Sequence, residues 1–166
     1  MRNIQDYSIV TFPSDILRKR MRKVGKVDEK IRSILSSMLY TMYKNSGIGL
    51  AAPQVGIDFN IAVVDAGDGI YKMINPVILD KKGTDITSEG CLSLPSILVT
   101  VKRAEKIKVK YIDELGREVT KSLSGITAKA VQHEIDHLTG KLIIDYLPWF
   151  KRISIGSCIK SNSKIL

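Results

Sequence analysis

The chain has 166 residues, 44% of them apolar and 26% charged, with a formal net charge of +9. That length suits a single domain spanning residues 1–166, with 148–166 as a less defined tail. No apolar run approaches the ~18 residues of a membrane span, and Met1–Phe12 has no apolar core for a signal peptide, so a cytoplasmic chain without a membrane partner is expected.

The two cysteines, Cys91 and Cys158, are too few for a disulfide framework. In a reducing compartment each is available as a thiolate ligand or a nucleophile. The positive charge favours anionic surroundings such as ribosomal RNA. A solvated, lysine-rich surface is the simpler reading, and no arginine–aromatic pattern marks a specific nucleic-acid site.

Along the chain, Ser14 or Asp15 can cap a short helix carrying Ile16 and Leu17. Ile31, Ile34, Leu35, Met38, Leu39 and Met42 then recur at helical spacing. Asp28 is the plausible cap of that helix, and Gly47 stops it. Strands are predicted at Ile61–Asp65, Met73–Leu79, Ile97–Arg103 and Ile107–Ile112. In the last of these, Ile107, Val109 and Tyr111 alternate with Lys108 and Lys110, which leaves one face wet. Asp113–Gly116 turns the chain into Arg117–Leu123, a hairpin. A second helix covers about Ile126–Leu138 and ends at Gly140. The fold class is therefore α+β, with mostly antiparallel sheet packed around a central helix and with an N-terminal helix.

The central helix carries the chemistry. Its segment Gln132-His133-Glu134-Ile135-Asp136-His137 contains HExxH, in which two histidines one turn apart can reach one ion. Glu134, beside the first ligand, stands where a general base belongs. Ile126, Ala130, His133, Glu134 and His137 share one sector, with Val131, Ile135 and Leu138 opposite. A helix apolar on both sides is buried, and charges in a core need a reason. HExxH can arise by chance, but both of the chain's histidines fall in it.

A catalytic site of this kind has a third protein ligand. Downstream the only acid is Asp145. Upstream, Glu89-Gly90-Cys91-Leu92-Ser93 offers a thiolate from Cys91, although a lone cysteine is commonly just a small buried hydrophobe. The apolar residues Ile48, Ile126 and Ala130 are candidates for a pocket near the metal.

Three blocks resemble the signature blocks of the peptide deformylases: Gly47-Ile48-Gly49-Leu50-Ala51-Ala52-Pro53-Gln54, Glu89-Gly90-Cys91-Leu92-Ser93, and Gln132-His133-Glu134-Ile135-Asp136-His137-Leu138. They stand in that family's order, and the resemblance runs from Ile9 to Leu147. It implies metal-dependent removal of the formyl group from the starting methionine of new polypeptides, with release of formate. It makes Cys91, His133 and His137 the metal ligands and Glu134 the catalytic acid–base residue. Gln54 and the Leu92 backbone N–H become the oxyanion donors. Gln54 alone would read as an ordinary polar loop residue. The resemblance also implies Fe²⁺ as the metal, with Zn²⁺, Ni²⁺ or Co²⁺ able to substitute. N-formyl-methionyl peptides are then the partner, laid along the glycine-rich block like an added strand, where Gly49 and Gly90 let backbone approach closely. The same resemblance pairs Glu89 with Arg103.

Two positions depart from the family's commoner pattern: Ile126 stands where Leu is frequent, and Lys129 where Arg is frequent. Gly156, Ser157 and Ser161–Ser163 make a long helix in the tail doubtful. Lys151, Arg152, Lys160 and Lys164 make that tail basic, which suggests weak attraction to the ribosome. One alternative is an HExxH zinc endopeptidase, which needs a downstream third ligand. A structural metal closed by Cys158 is another.

Overall fold

The computed structural model describes residues 4–160, without the side chains of Ser154 and of residues 156–160. Helix α1 (Glu29–Lys44) opens where the Asp28 carboxylate accepts the Ile31 N–H, the cap expected from the sequence. Ile31, Ile34, Leu35, Met38 and Met42 form its buried stripe. The N-terminal segment lies against it through two buried hydroxyls: Gln5 N–H donates to Ser37 and Tyr7 N–H to Thr41.

Seven strands follow: β1 (Gly49–Ala51), β2 (Ile61–Asp65), β3 (Ile70–Lys82), β4 (Asp85–Cys91), β5 (Leu94–Arg103), β6 (Lys106–Ile112) and β7 (Glu118–Ser124). Five of them make an antiparallel sheet in the order β1-β2-β3-β6-β7, and β4 and β5 make a separate antiparallel hairpin. Strand β2 shows how the large sheet is covered. Its alternate residues Ile61 and Val63 pack with α1, whereas Ala62 and Val64 pack with helix α2 (Gly125–Leu138). A strand wet on neither face reads as a continuous apolar run rather than an alternating one. The hairpin has its own core, in which Leu94, Ile97, Val99 and Val101 meet Leu17 and Leu142–Ile144.

Helix α2 ends at a glycine that no other residue could replace. Gly140 has φ +80°, and a Cβ there would lie 2.5 Å from the Arg18 carbonyl oxygen. Its N–H caps the His137 carbonyl at 3.1 Å, and Lys141 N–H caps that of Asp136 at 2.9 Å. Gln132, within the motif, pins α2 sideways: its amide accepts from Ala104 N–H and donates to the Ala104 and Ala128 carbonyls.

Three expectations are revised. Asp15–Arg18 is a 3-10 turn, and the Ser14 side chain makes no cap. Gly49–Ala51 of the glycine-rich block and Asp85–Cys91, unassigned from the sequence, are strands β1 and β4. The tail forms a helix, α3 (Trp149–Lys160), despite Gly156 and Ser157. Pro148 opens it, since the Lys151 and Arg152 N–H groups find the Pro148 carbonyl, and Ile155 packs on the hairpin's core. Ser161–Ser163 and Lys164 lie outside the described residues, as do the side chains of Cys158 and Lys160.

Candidate metal centre and active-site cleft

A cleft of about 540 Å³ opens between β1, α2 and the β4–β5 hairpin. Ile48, Gly49, Gln54, Gly90, Cys91, Leu92, Ile126, Ala130, His133 and Glu134 all line it. Pro95, Ser96 and Lys129 also line it, with Thr87 and Ser88 of β4.

Helical spacing sets His133 Nε2 and His137 Nε2 3.2 Å apart. Cys91, at the end of β4, brings its Sγ to 3.2 Å from His137 Nε2. One donor atom from each of the three residues lies within 4.8 Å of the others. One thiol and two imidazoles are the donors that suit Zn²⁺ or Fe²⁺, and the edges fit a single ion held at roughly 2.0–2.3 Å. Asp145 does not join them. Its carboxylate accepts from Leu142 N–H at 2.8 Å and pairs with Arg18 at 2.5 Å.

The two imidazoles differ in their surroundings. His133 Nδ1 lies 2.9 Å from Glu89 Oε2, which leaves Nε2 facing the cluster. Burial opposes charge on His133, but its bonds to Cys91 and Glu89 outweigh burial and raise its pKa to about 10. His137 is 1% exposed, and its Nδ1 has no hydrogen-bond partner among the described residues. Burial, followed by the neighbouring charge on His133, holds its pKa well below the usual value.

Glu134 is 3% exposed and stands outside the ligand trio. Burial pushes its pKa up to about 7. Its Oε2 has no partner among the described residues. Its Oε1 lies where a Cβ on Gly49 would fall, 2.3 Å away, so only glycine lets β1 pass this close. Gln54 is 2% exposed, on a 3-10 turn after β1. Its Oε1 accepts from Ala51 N–H at 2.9 Å, which turns Nε2 toward Ser93 Oγ at 3.3 Å and Cys91 Sγ at 3.5 Å.

Arg103, 3% exposed, holds the hairpin side. It donates two parallel bonds of 2.8 Å to Glu89, the pair expected from the sequence. Those bonds hold the Glu89 pKa down to about 2, against burial, the largest single influence, which raises it. Two further partners were not foreseen. Arg103 Nη1 also donates to Asp136 at 2.5 Å and to the Tyr146 hydroxyl at 2.9 Å. Asp136 carried a signal, since it lies inside the motif. Nothing in the sequence marked Tyr146.

The chain matches the family model described as polypeptide deformylase over residues 6–152. It is 45% identical over 148 residues to the peptide deformylase of Thermotoga maritima, covering 89% of this chain and 90% of the relative. It is 49% identical over 134 residues to peptide deformylase 1 of Clostridium perfringens, covering 80% and 91%. The crystal structure of the Thermotoga maritima enzyme superposes with a TM-score of 0.84, covering 87% of this chain and 99% of that one at 45% identity. That of the Ehrlichia chaffeensis peptide deformylase in complex with actinonin gives 0.90, covering 96% and 98% at 37% identity.

Proposed function

The chain belongs to the polypeptide deformylase family, and on that premise we propose that it hydrolyses the N-formyl group from the starting methionine of nascent polypeptides and releases formate. One observation carries the reading: a thiol and two imidazoles converge behind a cleft that Cys91 and His133 line, beside a buried carboxyl group that is not one of them. Cys91, His133 and His137 would hold one divalent cation, with Fe²⁺ as the resident metal and Zn²⁺, Ni²⁺ or Co²⁺ able to replace it. When bound, that cation supplies Lewis acidity and lowers the pKa of water at the site.

Each remaining step belongs to the chain's own residues. Glu134 takes the proton of the attacking water and returns it to the leaving amine, a task suited to a carboxyl group with a pKa near 7. Gln54 Nε2 and the Leu92 N–H donate to the oxyanion that develops on the formyl oxygen. The substrate backbone pairs with β1, which lies at the end of its sheet and pairs only with β2 among the described residues. Gly90 leaves room for that backbone, whereas the space beside Gly49 is taken by the Glu134 carboxyl group. Ile48 and Ile126, 45% and 58% exposed at the cleft, join Ala130 in receiving the methionine side chain.

In this reading residues 1–166 work as one catalytic domain around α2, in the cytoplasm. No described helix is long and apolar enough to cross a membrane. The exposed Lys151 and Arg152 of α3 would draw the enzyme weakly to ribosomal RNA. Truncation after Trp149 is expected to reduce salt-sensitive co-sedimentation with ribosomes and to spare hydrolysis of a short peptide.

The test is formate release from formyl-Met-Ala-Ser by anaerobically purified protein whose metal content is measured in the same sample. Release in proportion to bound metal is expected. Cleavage of internal peptide bonds without formate release would favour the endopeptidase reading instead.

A further inference from the structure

Arg103 is a buried charge behind the cleft, and its guanidinium directs four hydrogen bonds to three partners. Two go to Glu89, whose Oε2 also meets His133 Nδ1. The other two go to Asp136 and to the Tyr146 hydroxyl, and both leave from Nη1. The Tyr146 hydroxyl in turn donates to Asp136 Oδ2 at 2.7 Å, so its proton and a lone pair are both committed. The Arg103 guanidinium also lies 4.9 Å from the centre of the Tyr146 ring.

Tyr146 comes from the 3-10 turn Ile143–Tyr146, beyond the glycine that ends α2. The turn is anchored by Ile143 and Ile144, each 2% exposed. It therefore closes the far side of a guanidinium whose near side aims a ligand. Without the hydroxyl, Nη1 keeps only Asp136, and Asp136 loses a donor. The guanidinium is then free to rotate toward Asp136, and Glu89 and the His133 ring would follow it.

We propose that Tyr146 is a positioning residue for the metal centre, which acts through Arg103 and Glu89 to fix the orientation of His133. The inference rests on the Cys91–His133–His137 metal site proposed above. It adds the segment after α2 to the machinery, a segment that belongs neither to the cleft lining nor to the ligand trio.

Tyr146→Phe keeps the ring and removes the hydroxyl. Protein loaded with Co²⁺ is mixed with excess chelator, and the rate of metal release is followed. Release about tenfold faster than wild type is expected, the size of effect usual for residues that orient a ligand. A lower kcat with KM for formyl-Met-Ala-Ser within about twofold should accompany it. Ile144→Val loosens the same turn without touching the hydroxyl and should leave the release rate alone. Added to Glu89→Gln, the Tyr146→Phe change should have little further effect, because both break one chain of contacts.

Release from Tyr146→Phe at the wild-type rate would overturn the proposal. So would equal acceleration by Ile144→Val, or an effect that adds fully to that of Glu89→Gln. Wild-type protein that binds no Co²⁺ at all would overturn the metal site itself, a distinct result from these.

Discussion

Helix α2 and the β4–β5 hairpin each bring part of the cluster to the cleft, by different means. In α2, His133 and His137 meet because they are one turn apart, and Glu134 is carried along with them. In the hairpin, Cys91 meets His137 across 46 residues of chain, and nothing local determines that distance. Its placement depends on a turn between β4 and β5, on a separate apolar core, and on Arg103 tying Glu89 to Asp136. Half of the site is thus a property of a helix, and half is a property of the assembled molecule. The first half should survive most substitutions elsewhere, and the second should be fragile.

The hairpin half of the site is most vulnerable at Cys91. Cys91→Ser replaces a thiolate by a neutral hydroxyl and leaves two imidazoles alone. It should lose its metal under a chelator challenge that leaves wild type loaded, and with the metal nearly all activity. Retention of metal as tight as wild type would remove Cys91 from the ligand set.

Arg103→Ala comes next. It strands Glu89 and Asp136 without their counter-charge, 11% and 21% exposed. Loss of one partner from such a buried cluster costs about 3–5 kcal/mol, read as a lower urea midpoint. A midpoint close to wild type would mean that the hairpin holds itself in place. Gly49→Ala should act on chemistry rather than stability. The backbone there needs no positive φ, but the new Cβ displaces the Glu134 carboxyl group. A shift of that kind costs roughly a hundredfold in kcat, with the urea midpoint little changed. Lys129→Ala should do least. It breaks a pair with the half-exposed Asp85 across the cleft rim, a contact worth roughly 0–1 kcal/mol. If it costs more than Arg103→Ala, the rim rather than the buried guanidinium joins hairpin to helix.

The same division explains what could be read from the sequence. Local patterns were legible: the apolar stripe of α1, the Asp28 cap, the alternation Ile107, Val109, Tyr111, and the metal spacing in α2. The strand at Gly49–Ala51 was not, because a three-residue edge strand with a glycine has too little periodicity to read. Strand β4 was missed for a related reason. Its sequence Asp-Ile-Thr-Ser-Glu-Gly-Cys mixes polar and apolar residues, since one face lines a cleft. Helix α3 defied the weak propensity of its glycine and serines because Pro148 and the packing of Ile155 decide it. Gln54 and Leu92 drew attention only through their resemblance to family blocks, whereas Cys91 already stood out as a thiolate upstream of the motif. Tyr146 had no such help, and its role is visible only once Arg103 is seen between α2 and the hairpin.

Glu134 is where the two halves meet, on the helix and against β1. Glu134→Gln nearly preserves the shape of the side chain and removes its ability to carry a proton. Metal content and formate release from formyl-Met-Ala-Ser, measured on the same anaerobic preparation, should show wild-type metal and a kcat below about a tenth of wild type. A variant that binds metal normally and retains more than that would contradict the role given to Glu134, and with it the proposed mechanism.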